Sequence, residues 1–307
     1  MTKVFIDGSA GTTGLRIYER LCSRDDLKLI TLPDELRKDK DARIQAFNSA
    51  DVAFLCLPDV AAKEVAEFDL NKNLVLIDTS TAHRTNPSWE YGMPELYGRR
   101  KKIKDSKRIA NPGCHASGFV ALVEPLVRNK LISPNAMLTA FSITGYSGGG
   151  KQMINAYESK DRPDGYGAPR QYALAQQHKH LGEMSKITGL ENPPVFCPVV
   201  ADFYSGMEVT VTLFKKDLKG TIDDVKNVYK NYYTTKLIHF DENADEDGFL
   251  SANAYSGRDD MGISVFGNED RIILVSRFDN LGKGASGSAI QNMNIILGID
   301  ETKGLVL

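Results

Sequence analysis

The sequence predicts an α/β protein of two domains, a doubly wound parallel sheet followed by a mixed-sheet α+β domain. Short apolar runs alternate with helix-compatible stretches through the first hundred residues, the pattern that builds βαβ units. A glycine turn joins the first strand to the first helix, where a nucleotide-binding sheet carries it. After the segment around Cys114 the chain changes to longer β-rich stretches, and runs of strands after a βα region make a second sheet.

The bulk properties agree. A chain of 307 residues, 42% hydrophobic and 25% charged, has the size and composition of a soluble globular protein with room for two domains. Its four cysteines, Cys22, Cys56, Cys114 and Cys197, include no C-x-x-C pair, which fits neither a zinc site nor a disulfide scaffold. A net charge of −2 disfavours nucleic acid as a partner. The start, "MTKVFIDGSAG", enters a strand at once, without the regions of a signal peptide, and no run reaches membrane-spanning length. These features predict a cytoplasmic protein with reduced thiols. The basic run "RRKKIKDSKR" at 99–108 lacks aromatic residues on which bases could stack and reads as a solvated loop, as does the acidic "DENADED" at 241–247.

In "KVFIDGSAGTTGLRIYERL" a strand, a glycine turn and a helix follow one another, the helix with Leu15, Tyr18 and Leu21 on related faces. Gly8, Gly11 and Gly14 form a variant of the dinucleotide fingerprint, in which glycines let the backbone approach a pyrophosphate at a helix N-terminus. Further strands are expected in "LKLITL" (27–32), "ADVAFLCLP" (50–58) and "NLVLIDTS" (73–80), with a helix in "DVAAKEVAEF". Ligands of such sheets bind beyond the C-terminal strand ends, where Ser9 to Gly14 (with Thr12 and Thr13), the Pro58 turn and Ser80 converge. The second strand runs into "LPDELRKDK". Asp34 or Glu35 there suits the 2′-hydroxyl of NAD, Arg37 and Lys38 the 2′-phosphate of NADP.

The segment "IANPGCHASGFVALVEPLV" (109–127) makes a turn at Pro112-Gly113. A helix with one buried face follows, through Phe119, Leu122, Val123, Leu126 and Val127. Cys114 falls at its N-terminus, where orphan N–H groups and the helix dipole lower a thiol's pKa from about 8.5. A nucleophile and a small buried hydrophobe both fit that position. "GYSGGGKQ" (145–152) nearly matches a phosphate-binding loop, but Gln152 lacks the metal-binding hydroxyl. The loop with Ser147 and Lys151 can cradle a substrate anion or serve as a plain turn. "YALAQQHKHLGEM" (172–184) gathers His178, His180 and Glu183, with His180 and Glu183 at i, i+3 on a helix. H-x-H offers two metal ligands without a cluster to complete the shell, so no metal is expected and the histidines read as acid/base partners for a thiol.

In order along the chain, "DGSAGTTGLRI", "LPDELRKD", "LIDTSTAHR", "YGMPEL", "ANPGCHASG", "HKHLGEM" and "DNLGKGASGSAIQNMN" resemble the N-acetyl-γ-glutamyl-phosphate reductase family of arginine biosynthesis, in its shorter second type. The resemblance spans nearly the whole chain. It implies an N-terminal Rossmann-like domain over 1–112, with a helix in 285–307 packing back on it, and a catalytic and dimerisation domain over 113–284. It implies Cys114 as nucleophile, a proton role for His178 or His180, Glu183 orienting the pair, NADP held partly by Arg37 and Lys38, and Asn280 near the cofactor. Arg84, Asn111, Ser147 and Lys151 are the expected contacts of a small acyl-phosphate substrate, and a homodimer or homotetramer is expected. Departures from the longer type stand at His115-Ala116 and Leu181-Gly182. The alternatives are a sibling reductase acting on aspartyl phosphate or a carrier-bound glutamyl phosphate, an NADP-binding sensor, and a P-loop hydrolase that Gln152 disfavours.

Overall fold

A computed structural model describes residues 1–307, and the chain divides into two units. The first comprises Met1–Pro112 and Ala285–Leu305, the second Gly113–Gly284 and Val306–Leu307.

In the first unit the apolar runs become β1 (Thr2–Asp7), β2 (Leu27–Ile30), β3 (Val52–Leu55), β4 (Val75–Asp78), β5 (Glu90–Tyr91) and β6 (Arg108–Ala110). Between them lie α1 (Thr12–Leu21), α2 (Lys40–Asn48), α3 (Asp59–Ala66) and α4 (Arg99–Asp105). The strands form one parallel sheet in the order β2-β1-β3-β4-β6-β5. Every residue of β3 and β4 is buried, which is why these strands read as continuous apolar runs instead of alternating ones. Asp39 caps α2 by accepting from the Ala42 N–H at 2.8 Å.

Two local expectations change. Helix α1 buries Gly14, Ile17 and Leu21, while Leu15 is 41% exposed. The packing stripe follows i, i+3, i+7 from the glycine that meets the first turn. The basic run is helical over Arg99–Asp105, because Ile103 is fully buried and anchors it. Its cationic groups stay outward, Arg99 on Glu90 at 2.6 Å and Arg100 on Glu301 at 2.8 Å.

The second unit starts with α5 (Cys114–Arg128) and continues through β7 (Thr139–Gly145), α6 (Gly150–Glu158), β8 (Arg170–Gln171), α7 (His180–Thr188), β9 (Val195–Ala201) and β10 (Met207–Phe214). Then come α8 (Ile222–Tyr232), β11 (Ile238–Phe240), β12 (Met261–Gly267) and β13 (Arg271–Phe278). The mixed sheet has the order β11-β12-β13-β10-β7-β9-β8, with β11-β12 and β7-β9 parallel and the other pairs antiparallel. Helix α5 was expected to bury one face, yet every residue from His115 to Leu126 is buried. Strands β10 and β13 lie against it together with α7 and α8, so it is the centre of a layer and not its surface. Residues 250–260 are turns and coil, and β12 begins only at Met261. Ser256, Gly257 and Arg258 bend the chain, and the Gly257 N–H donates to the Asp279 carboxylate.

A π-turn over Gly282–Ser286 leads into α9 (Gly287–Leu297), which belongs to the first unit. There Ala289, Ile290, Met293 and Ile295 share a core with Val4, Ile6, Ile17 and Ile77. No helix is long and apolar enough to cross a membrane.

Candidate active site

The first unit carries the residues expected to hold a nucleotide. Gly8 has φ +86°, and a Cβ there would lie 2.2 Å from the Cys56 carbonyl oxygen, so the turn between β1 and α1 requires glycine. The Gly11 N–H donates to the Gly8 carbonyl at 3.0 Å, and Gly11 caps the helix that Thr12 and Thr13 open. A concave pocket beside this turn is lined by Gly8, Ser9, Ala10, Thr31, Arg37 and Leu57. Beneath it Asp7 is buried against Arg43, whose Nε and Nη2 donate to Oδ2 at 3.1 and 2.8 Å. Burial pushes the Asp7 carboxyl pKa up against the pull of Arg43. Arg37 borders the pocket with Nη2 on Asp34 at 2.7 Å, while Lys38 is exposed beyond the residues that line it.

The neighbouring strand ends meet as expected. Pro58 is the N-cap of α3, the Thr81 N–H donates to Asp59 Oδ1 at 2.9 Å, and the Thr79 N–H donates to the Leu55 carbonyl at 3.0 Å. Ser80 directs its N–H and hydroxyl to the two Asp78 oxygens at 2.9 and 2.8 Å. His83 Nδ1 stands 2.6 Å from Asp78 Oδ2, with its ring stacked on Trp89. Two expected substrate contacts are engaged elsewhere. Arg84 donates from Nε to the Asn111 carbonyl at 2.9 Å and from Nη2 to the Thr79 carbonyl at 3.1 Å. Asn111 donates from Nδ2 to the Ala285 carbonyl at 2.9 Å and accepts from Asn292 Nδ2 at 3.3 Å. Both therefore fix the segment that leads to Pro112.

The second unit carries Cys114 and the residues predicted to act with it. Cys114 is the first residue of α5 after the extended N-cap Gly113, where the first amides of a helix have no intrahelical acceptor. The Gly113 N–H donates to Glu183 Oε1 at 2.8 Å, so this carboxylate fastens the residue that precedes the thiol. The His178 and His180 rings lie 4.6 Å apart, and the His180 N–H donates to His178 Nδ1 at 3.2 Å. With Nδ1 accepting, the neutral His178 ring carries its proton on Nε2. In the first unit, burial pushes the Cys56 thiol up to about 12.

Residues that sequence reasoning missed complete this half. His115 lies 6.1 Å from His178 and 5.7 Å from His180, ring to ring. Its Nδ1 is 2.7 Å from Ser142 Oγ and its Nε2 is 2.7 Å from the Tyr172 hydroxyl. Burial, then the charge of His178, pushes the His115 pKa down to about 3. Burial, then the charge of Cys114, raises the Tyr172 hydroxyl above the tyrosine range. Gln176, at φ +54°, donates from Nε2 to the Phe196 carbonyl at 2.7 Å and accepts from the Phe196 N–H at 2.8 Å. This pinned loop positions Tyr172 and His178. Proximity in sequence to Cys114 and to the H-x-H pair was the available signal for His115 and Tyr172; Gln176 had none.

Two other predicted positions also have defined partners. Asn280 accepts from the Gly206 N–H at 2.9 Å and donates to Ser147 Oγ at 3.0 Å, both within the second unit. The N–H groups of Gly145, Tyr146 and Ser147 donate to the carbonyls of Gly206, Phe203 and Tyr204. The glycine-rich loop is thus a tight turn with these amides engaged, and Lys151 is exposed beyond it. Gly284 lies against the thiol residue, where a Cβ would come within 3.0 Å of Cys114 Cβ. No group of three or more His, Cys, Asp or Glu side chains is arranged to hold a metal ion.

Residues 3–106 match the NAD-binding domain of semialdehyde dehydrogenase, and residues 114–280 match the dimerisation domain of the same family. The chain belongs to the semialdehyde dehydrogenase family. It is 41% identical to N-acetyl-gamma-glutamyl-phosphate reductase 2 of a Nostoc species, across 99% of both chains. It is 42% identical to the N-acetyl-gamma-glutamyl-phosphate reductase of Brucella ovis, across 96% of this chain and 99% of that one. These relatives set it in the acyl-phosphate reductase branch of the semialdehyde dehydrogenases, as an oxidoreductase with a nicotinamide-binding domain. Among solved structures, aspartate semialdehyde dehydrogenase II of Vibrio cholerae superposes with TM-score 0.74 at 17% identity, covering 97% of this chain and 99% of that one. The Candida albicans aspartate semialdehyde dehydrogenase with NADP gives TM-score 0.68 at 15% identity, covering 97% and 98%. These two establish the shared fold.

Proposed function

We propose that this semialdehyde dehydrogenase reduces N-acetylglutamyl 5-phosphate to N-acetylglutamate 5-semialdehyde, with release of phosphate and NADPH as reductant, in arginine biosynthesis. The observation that carries the reading is Cys114 at the start of a buried helix, with three histidines gathered beside it and Glu183 fastening the preceding residue. Identity of 41–42% over nearly the whole chain to reductases of that name supports the substrate.

The Cys114 thiolate attacks the acyl carbon, the carbon–oxygen bond to phosphate breaks, and phosphate leaves with the electron pair. A thioester remains. The cofactor supplies a hydride to the thioester carbon. His178 or His180 gives a proton to the developing oxygen, and first-turn amides of α5 stabilise the negative charge on it. Deprotonation of that oxygen and cleavage of the carbon–sulfur bond then free the aldehyde and return the thiolate. Glu183 keeps the Gly113-Cys114 turn in place through these steps.

The glycine turn of residues 8–14 suits the cofactor's pyrophosphate at the start of α1, its close backbone packing kept by Gly8 and Gly14, where a Cβ would meet carbonyl oxygens at 2.2 and 2.4 Å. Arg37 at the pocket suits the 2′-phosphate that distinguishes NADP from NAD, and its pairing with Asp34 is exposed and easily exchanged. A second copy of the chain is the proposed occupant of the open face of the mixed sheet. There Phe141, Val195, Phe214 and Ile273 are each at least 40% exposed, and the matched family model is a dimerisation domain.

The test follows NADP reduction with phosphate and N-acetylglutamate semialdehyde, and separately with aspartate semialdehyde. The reading predicts phosphate-dependent turnover of the acetylated substrate and little of the other. Preference for aspartate semialdehyde would replace the substrate assignment.

A further inference from the structure

The chain leaves β13 in a tight turn, residues 279–284, and that turn ends against Cys114. A Cβ on Gly284 would stand 3.0 Å from Cys114 Cβ, so the bare Gly284 backbone packs directly on the carbon that bears the thiol. Phe278 extends the same wall. A Cβ on Gly284 would meet its ring at 3.3 Å, and one on Gly118, a turn along α5 from Cys114, would meet it at 2.8 Å. At both places glycine lets the wall approach the helix closely.

One side chain holds that turn. Asp279 is fully buried, and its carboxylate accepts hydrogen bonds from three segments of the second unit. Oδ1 takes the N–H groups of Leu281 and Gly282 at 2.6 and 3.0 Å. Oδ2 takes the Ser205 hydroxyl at 3.0 Å and the Gly257 N–H. The Asp279 carbonyl in turn accepts from the Gly284 N–H at 2.9 Å. Asn280 continues the arrangement, accepting from the Gly206 N–H at 2.9 Å and donating to Ser147 Oγ at 3.0 Å. An ionised carboxylate accepts on both oxygens, whereas an asparagine in its place would have one acceptor oxygen and turn an NH2 group on the donors of the other side.

We propose that Asp279 is a positioning residue for the nucleophile: by gathering the Leu281, Gly282, Ser205 and Gly257 donors it holds the 279–284 turn rigid, so that Gly284 backs Cys114 and confines its side chain to the orientation used for attack. The inference rests on the reading of Cys114 as nucleophile and deepens it. A cysteine side chain has three staggered wells, and a wall in contact with its Cβ restricts the choice among them. Keeping one well instead of three raises the fraction of thiol in the attacking geometry by up to about threefold.

The test measures alkylation of Cys114 by iodoacetamide at one pH in the full-length protein, with Cys56 and Cys197 followed in the same digest as gauges of unfolding. It needs neither substrate nor cofactor, so its failure is distinguishable from a failure of the substrate assignment. A wild-type Cys114 that reacts no faster than Cys197 would overturn the nucleophile reading and this inference with it. Asp279→Asn should slow Cys114 about two- to threefold and leave Cys56 and Cys197 unchanged. Gly284→Ala should slow it as well, by pressing a methyl on Cys114 Cβ. The Asp279→Asn/Gly284→Ala pair should lose less than the two single losses multiplied, since a loosened turn lets the methyl retreat; sites joined by a backbone shift couple in this way, and an Asp279 that only adds stability does not. Ser205→Ala removes one donor and keeps the charge. It should slow Cys114 in the same direction, and it carries the test if Asp279→Asn does not fold. An unchanged Cys114 rate in the folded variants, single losses that simply multiply, or an equal rise at all three cysteines would overturn the proposal.

Discussion

His115 should make the protein sensitive to mild acid in a way that can be isolated. Its ring titrates near 6.5 when solvated and near 3 in the fold, where burial disfavours the charged form. A histidine with a depressed folded pKa stabilises the native state above 6.5, and that contribution is lost as pH falls from 6.5 toward 3. Between pH 7.5 and 4.5 the unfolded chain gains a proton at this ring that the native one refuses. The interval below 6.5 is about two pH units, which at about 1.36 kcal/mol per unit gives a loss of about 2–3 kcal/mol. Urea unfolding of the wild type and His115→Gln at both pH values separates this loss from the general effect of carboxylates, which the two proteins share. The variant should show a pH gap smaller by that amount. An equal gap in the two proteins, or a His115 ring proton that titrates between pH 6 and 7 in the native spectrum, would refute the reasoning.

Three further perturbations test other parts of the structure. Gly284→Ala places a methyl 3.0 Å from Cys114 Cβ and should lower kcat at least tenfold while NADP binding, measured by calorimetry, is retained. Gln176→Ala removes both bonds to the Phe196 backbone and should cost about 1–2 kcal/mol of unfolding free energy, with a raised KM as the loop bearing His178 loosens. Phe141→Glu on the open sheet face should abolish the proposed self-association, read by light scattering, while far-ultraviolet circular dichroism keeps its native shape.

The parallel sheet was legible because its strands are buried on both faces and punctuated by glycine turns, signals that lie within a few residues of each other. The helix start at Cys114 was legible for the same reason. Burial around the whole of α5 was not, because the neighbours that cover its second face come from β10, β13, α7 and α8, far along the chain. The basic run misled because Ile103 alone supplies the anchor for α4 among outward charges. Within the site, Cys114 and the H-x-H segment stood out by residue type. The backbone bonds of Arg84 and Asn111 were not legible, since the carbonyls they hold at Thr79, Asn111 and Ala285 come together only in the fold. Ser142 is a plain serine on a strand until the fold sets His115 against it.

The proposed mechanism requires a covalent acyl group on Cys114. Rapid mixing with N-acetylglutamyl 5-phosphate in the absence of NADPH, followed by acid quench and mass spectrometry of the digest, tests it most directly. An N-acetylglutamyl group on the peptide containing Cys114, absent from Cys114→Ser, is the predicted result. A protein that turns over the same substrate with NADPH while Cys114 stays unmodified in the quench would contradict it.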